Sequence, residues 1–255
     1  MAVDYPPSIM NKMKHNSQIS NHITSHKTEP YRDNSNVPSD FDARKQWPGL
    51  ILGVRDQGNC GACWAFSIAE NIGNRLGILK CSRGFMSPQD LISCNDFGSG
   101  CKGGYLLQAW EFAVDKGLAT DKCISYSASN LPCPKSCNDG MKIKRTPISK
   151  FRFVNSTNIQ DEIYKNSTVS ANMIVYSDFM NYKSGVYVHQ TGLSTGSHAV
   201  IIIGWGIENN IPYWLVQNSW GQDWGEKGYF KIIRGNDHCG IESSVTTGDP
   251  KCVKE

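Results

Sequence analysis

Residues 56–66, Asp56-Gln57-Gly58-Asn59-Cys60-Gly61-Ala62-Cys63-Trp64-Ala65-Phe66, join a loop of glycine and amide side chains to an apolar run. From Trp64 to Leu76 the apolar residues recur with a helical period, so a helix begins at or beside Cys63. Unpaired backbone N–H groups and the macrodipole favour negative charge at such a position. A cysteine placed there has a lowered pKa and reacts as thiolate. Gln57, six residues upstream, can aim an amide N–H at an oxyanion beside that sulfur. This stretch is the centre of the chemistry.

A chain of 255 residues can build one large domain or two intimate halves. The net charge of +3 is spread out, with no basic block to suggest a nucleic-acid partner. The run Ala199-Val200-Ile201-Ile202-Ile203 is far too short to span a membrane. Ten cysteines point to an oxidising compartment. If Cys63 is free, an odd number remains, so at least one further thiol is unpaired. Two sequons, at Asn155 and Asn166, fit a secretory route.

The N-terminus argues otherwise. Residues 1–36 are polar, without the apolar stretch of a signal peptide, and read as a tail or the remnant of a pro-segment. Their histidines, His15, His22 and His26, carry no metal-ligand pattern. The cysteines are the stronger signal, and an upstream segment is expected to be missing from this chain.

The main domain is expected over 37–255. Its first half is helical, mainly over 50–130: the helix from Cys63 to Leu76, a short one capped by Ser87 with Pro88 in its first turn, and Leu106 to Lys116, stopped by Gly117. Its second half, mainly 140–248, holds short β-branched or aromatic runs: Met173–Tyr176, Gly185–Val188, His198–Trp205, Tyr213–Asn218 and Gly228–Arg234. Asn209-Asn210 reads as a hairpin-like turn. Helices followed by an antiparallel sheet, curled into a barrel, give an α+β fold.

A nucleophilic thiolate needs a base, and the base needs an orienting group. His198 opens an apolar strand after Gly196-Ser197, where a strand end can present it to a cleft. Twenty residues later Asn218-Ser219-Trp220-Gly221 offers an amide oxygen to hold the imidazole and an indole to shield that bond. Each part alone is ambiguous; together with Gln57 they specify a Cys-His-Asn triad.

Cys60-Gly61-Ala62-Cys63-Trp64, with His198 and Asn218-Ser219-Trp220-Gly221 downstream, resembles the papain and cathepsin protease family. Val175-Tyr176-Ser177-Asp178-Phe179 and Asp237-His238-Cys239-Gly240-Ile241-Glu242-Ser243 are similar to cathepsin B within it. The resemblance runs from about Val37 to Gly248. It implies a two-lobe fold, helical and β-barrel, with the cleft between them. It implies Cys63 as nucleophile, His198 as acid/base, Asn218 as orienter, and Gln57 with the Cys63 N–H as oxyanion hole. It also implies Trp220 over the Asn–His bond and lining the primed side. Gly103 and Gly104 would lie along the substrate backbone, with Asn172 and Ser244 in the second unprimed pocket. The implied disulfides are Cys60–Cys101, Cys94–Cys133 and Cys123–Cys137. Cys81, Cys239 and Cys252 are left without an assured partner; Cys239 reads as a buried free thiol, with Cys81–Cys252 open. Protein and peptide substrates and inhibitors of the cystatin type are the implied partners. The implied location is a lysosome, an acidic vacuole or the exterior. No cofactor or metal is expected.

Three departures from cathepsin B carry expectations. Only nine residues, none of them histidine, separate Cys123 from Cys133, so the occluding loop and its two histidines are expected to be absent. An endopeptidase with weak or no dipeptidyl carboxypeptidase activity follows. Ser244 stands where cathepsin B has a glutamate, and Asn172 where a small residue is expected, so an apolar second residue should be preferred to arginine. The N-terminal 36 residues are too few for a leader plus inhibitory segment.

Other readings explain less. A Cys60-x-x-Cys63 redox pair needs a preceding β-strand and leaves His198 and Asn218 idle. A non-catalytic relative that binds peptides in the same cleft would be favoured by loss of Cys63, His198, Asn218 or Gln57, and all four are present. Trp205, Trp214, Trp220 and Trp224 read as packing around the barrel.

Overall fold

The computed structural model describes residues 37–96 and 98–253; the segment 1–36, with its three histidines, lies outside the described residues. In chain order the elements are β1 (Phe41–Asp42), α1 (Ala43–Gln46), α2 (Cys63–Ile78), α3 (Pro88–Cys94) and α4 (Leu106–Lys116). There follow β2 (Ile148–Phe153), α5 (Ile159–Asn166), β3 (Val169–Tyr176), β4 (Val186–Tyr187), β5 (Ser194–Glu208), β6 (Ile211–Gln217), β7 (Tyr229–Ile233) and β8 (Val245–Pro250). The α+β class and the order, helices then sheet, are those expected.

Helix α2 is buried from Cys63 through Gly77. A helix buried all round must find partners for its polar side chains, and the sheet, α5 and the link between α5 and β3 supply them. Ser67 Oγ donates to the Val200 carbonyl at 2.9 Å, and Ser170 Oγ returns to the Ser67 carbonyl at 3.1 Å. Asn71 Nδ2 donates to the Thr168 carbonyl at 2.9 Å, and Arg75 pairs with Glu162 at 2.6 Å. Gly77 is required by close approach: a Cβ there would collide with the Leu50 carbonyl.

Ser87 caps α3 as expected, accepting from the Asp90 N–H at 3.0 Å, with Pro88 in the first turn. The Asp90 carboxylate, fully buried, takes the Ala119 N–H and the Arg145 guanidinium, which ties the helix to the loops beyond it. Gly117, at φ +76°, ends α4.

The strands run β2-β8-β3-β5-β6-β7-β4, with β1 added to β5. All pairs are antiparallel except β4 with β7, which are parallel. Asn209 and Asn210, both at positive φ (51° and 64°), make the two-residue turn between β5 and β6. Strands β2 and β8 and helix α5 were not among the expected elements. β2 alternates with Ser, Lys and Arg and is an edge strand, while β8 contains two threonines, Gly248, Asp249 and Pro250.

Two cores result. One, among the helices, centres on Trp64, Phe66, Ile72, Leu76 and Trp110; the other, inside the sheet, on Phe179, Trp205, Trp214 and Phe230. Burying each such side chain contributes about 1.5–3 kcal/mol. Trp205 and Trp214 pack in the core as read from the sequence, with Phe41 stacked on Trp205 at 4.9 Å. Trp110 Nε1 donates to Thr246 Oγ1 at 3.0 Å, across from α4 to β8.

The three expected disulfides form, and so does Cys81–Cys252, the pair left open. Among the described cysteines Cys63 and Cys239 are free. Cys239 is half-buried rather than buried, and burial, aided by Asp178 and Asp237, pushes its thiol up to about 11.

Candidate active site

Cys63 is the first residue of α2, preceded by Ala62, which offers no side-chain cap. Within the first turn the Ala65 and Phe66 N–H groups donate to the Ala62 carbonyl at 2.9 and 3.0 Å, and the Trp64 N–H is the one that acts on the sulfur. Burial alone would push the Cys63 thiol up. The charge and hydrogen bond of His198, helped by the Ala199 and Trp64 backbone, outweigh it and hold the thiol below its usual 9.0.

His198 enters from β5, directly opposite Met173 of β3, and is 4% exposed. Its Nε2 meets Asn218 Oδ1 at 2.7 Å, so Nε2 carries the proton and Nδ1 is left toward the thiol. Asn218 follows the last residue of β6, and the Ser219 N–H also donates to its Oδ1 at 2.8 Å. The Trp220 ring lies over the imidazole, centroids 4.6 Å apart, and is braced by Phe179 and Trp224.

Gln57 is buried at the other wall. Its Nε2 donates to the Cys60 carbonyl at 2.9 Å, which uses one of that nitrogen's two N–H groups. Its Oε1 accepts from Ser219 Oγ at 2.6 Å, its backbone N–H donates to the Ser219 carbonyl at 2.9 Å, and its own carbonyl accepts from Tyr126. The loop before Cys63 and the turn after Asn218 are thus locked together.

A cleft of about 530 Å³ opens between these walls, lined by Gln57, Cys63, Gly103, His198 and Trp220, with Val175, Met180 and Thr195. A thiolate beside an imidazole, with amide donors on one side and a groove for a chain on both, can attack a carbonyl carbon and hold the resulting oxyanion. A second concavity of similar size, walled by Arg83, Lys122, Lys142 and Lys144, lies elsewhere, and its two cysteines, Cys123 and Cys137, are joined in a disulfide.

Residues 37–248 match the profile of the papain family cysteine proteases. The chain belongs to the papain family. It is 44% identical over 246 residues to a gut-specific cysteine proteinase of Caenorhabditis elegans, spanning 85% of this chain and 75% of that one. In structure it is similar to procathepsin B S9 of Trypanosoma congolense, with a TM-score of 0.81 and 34% identity over 89% of this chain and 82% of that one. Bromelain of Ananas comosus, solved with the inhibitor E64, has a TM-score of 0.73 and 30% identity, over 84% of this chain and all of that one. The protein is a cathepsin B-like cysteine protease with the papain-like fold.

Not every residue expected at the papain-family cleft lines it. Gly103 does, at φ +118°; Gly104 sits behind it, where a Cβ would meet the Trp64 ring at 2.5 Å. Asn172 and Ser244 come together, the Asn172 N–H donating to the Ser244 carbonyl at 3.1 Å, but neither borders the cavity itself. Ser219 and Tyr126, which hold Gln57, carried no signal of their own in the sequence. Asn155 and its sequon are exposed; Asn166 is exposed too, but its Ser167 and Thr168 are buried. Among the described residues no group of three or more His, Cys, Asp or Glu is placed to hold a metal ion. Among them, too, no helix is long and apolar enough to cross a membrane.

Proposed function

We propose that the protein is an endopeptidase that cleaves peptide bonds through an acyl-enzyme on Cys63, within a two-lobe unit spanning 37–255. The observation that carries this is the 2.7 Å contact of His198 Nε2 with Asn218 Oδ1, behind a buried thiol held below its usual range. The Cys63 thiolate attacks the scissile carbonyl carbon while Gln57 and the Cys63 N–H receive the oxyanion. His198 gives its proton to the leaving amine, then takes one from the water that releases the acid product. Trp220 lines the primed side, and Gly103, with Gly104 packed behind it, lies along the substrate backbone. Asn172 and Ser244, set back from the cavity's own walls, would shape the second unprimed pocket, and with no carboxylate there an apolar side chain is favoured.

Endopeptidase rather than dipeptidyl carboxypeptidase action rests on the short interval between Cys123 and Cys133. It contains no histidine, and among the described residues His198 is the one histidine on the cleft. Four disulfides support an oxidising location, lysosomal, vacuolar or secreted. Cystatin-type inhibitors remain the proposed protein partners, and Asn155 and Asn166 the proposed glycosylation sites.

A peptidyl epoxide tests the reading. Intact mass should show one adduct, lost in C63A, and folded protein with no adduct would favour the peptide-binding alternative. Mapping the products of a protein digest tests the rest: internal cuts are expected, and release of mainly C-terminal dipeptides would overturn the endopeptidase assignment.

A further inference from the structure

Glu70 lies about two helical turns along α2 from Cys63, is 2% exposed, and has no part in the cleavage chemistry above. Its Oε2 accepts from Gln217 Nε2 at 3.0 Å, and the same nitrogen reaches the Gly53 carbonyl at 3.4 Å. Both donors of the Gln217 amide are thereby directed, which leaves its Oε1 buried without a partner; Glu70 Oε1 is buried without one too. An ionised carboxylate and an amide oxygen are acceptors only. An orphaned buried acceptor costs about 1–3 kcal/mol. The pair is one proton short.

We propose that Glu70 is a neutral carboxylic acid in the working enzyme, donating its proton to Gln217 Oε1, and that this closed acid–amide pair positions the Asn218 end of β6. One proton gives a partner to both orphaned oxygens. Gln217 is the residue before Asn218 and is held in the ladder between Ile201 and Tyr229. The carboxyl is therefore joined through one side chain to the group that orients His198. Glu70 is a positioning residue, and its role in activity rests on the protease reading above.

The surroundings favour the neutral form. Burial pushes the Glu70 carboxyl up from 4.5 to about 8, against the smaller opposing effects of the Arg55 charge and the Gln217 hydrogen bond. Arg55, on the loop before the nucleophile, is drawn to Asp121 at 2.7 Å and the Met86 carbonyl at 3.1 Å. Tyr229, on β7, is the other titratable group coupled to Glu70: its phenol is raised by burial and, to a smaller extent, by the Glu70 charge. Gln217, from β6, is neutral. When Glu70 loses its proton to solvent, a buried charge faces the Gln217 amide oxygen and the closed pair opens. The alkaline limit of activity is then set behind the cleft.

Two measurements decide it. In wild-type protein, infrared difference spectra should show a carboxylic-acid C=O band that persists above the ordinary carboxyl range and disappears through about pH 8. No such band would overturn the proposal, whether or not the protein cleaves peptides. In E70Q, the side-chain amide supplies the donor permanently, so the alkaline limb of kcat/KM should move to higher pH. E70L, which supplies none, should lose kcat where E70Q keeps it. A band with an unmoved limb in E70Q would overturn the positioning role. If E70Q does not fold, melting temperature of the wild type against pH serves instead. The folded state holds a proton that the unfolded chain has released, so stability should fall as pH rises from 4.5 through about 8 and level beyond. A flat profile over that window would overturn it.

Discussion

Ser219 and Gln57 are bonded twice: the serine hydroxyl donates to the glutamine side-chain oxygen at 2.6 Å, and the glutamine N–H donates to the serine carbonyl at 2.9 Å. The first of these turns the Gln57 amide so that its nitrogen, not its oxygen, is presented on the nucleophile's side. Removing the hydroxyl leaves the backbone bond intact and frees the side chain to rotate. S219A should therefore lower kcat/KM by about 10-fold, the equivalent of one hydrogen bond, mostly in kcat. Steady-state kinetics on a peptide substrate check this, and an unchanged kcat would show that Gln57 needs no such brace.

The state of Cys63 is set by His198. Because the imidazole holds the thiol below 9.0 against the effect of burial, alkylation by a small haloacetamide should reach its plateau at lower pH than for a free cysteine. In H198A only the opposing effect of burial and the backbone contacts remain, and the inflection should move upward. Rates of mass gain across a pH series give the answer.

The partnership of Asn172 with Ser244 bears on specificity. With no carboxylate at Ser244, peptides with leucine at the second unprimed residue should be cleaved faster than those with arginine. S244E should shift that ratio toward arginine by about 10-fold, through a partly buried ion pair. Paired substrates differing at that residue alone measure it; equal ratios in both proteins would remove Ser244 from the pocket.

Cys81–Cys252 ties the end of α2 to the residues after β8, across a separation of 171 residues. Replacing both with serine should cost about 2–4 kcal/mol of stability, while activity well below the melting temperature persists. Denaturant unfolding of the wild type and the double-serine variant, with the other three disulfides intact in each, would reveal it.

Much of this was legible because local chemistry and tertiary role coincide. The loop at Gln57, the helix from Cys63, the cap at Ser87 and the strand at His198 each follow from residues next to one another. What was not legible depends on partners far along the chain. All of β8 but Val245 is threonine, glycine, aspartate or proline, and it is a strand because β2 and β3 flank it. α5 is short and polar enough to pass for loop, and takes its shape from the sheet beneath Ile159 and Ile163. Ser219 reads as a turn serine until Gln57 is seen to lie against it. The Cys81–Cys252 pairing joins the two halves of the chain, and no spacing rule reaches that far.

Cys63 belongs to the interior of the helices, while His198 and Asn218 stand on the sheet, whose core is separate. The reacting sulfur and the imidazole are thus carried on two packed cores that meet along a seam, fastened by Ser67 with Val200, Asn71 with Thr168, Trp110 with Thr246, and Gln57 with Ser219. A slip along that seam of a few tenths of an ångström would leave both cores intact and still separate the reactants. Turnover is in this sense a caliper for the fit of one half against the other, and it should fail before either half melts.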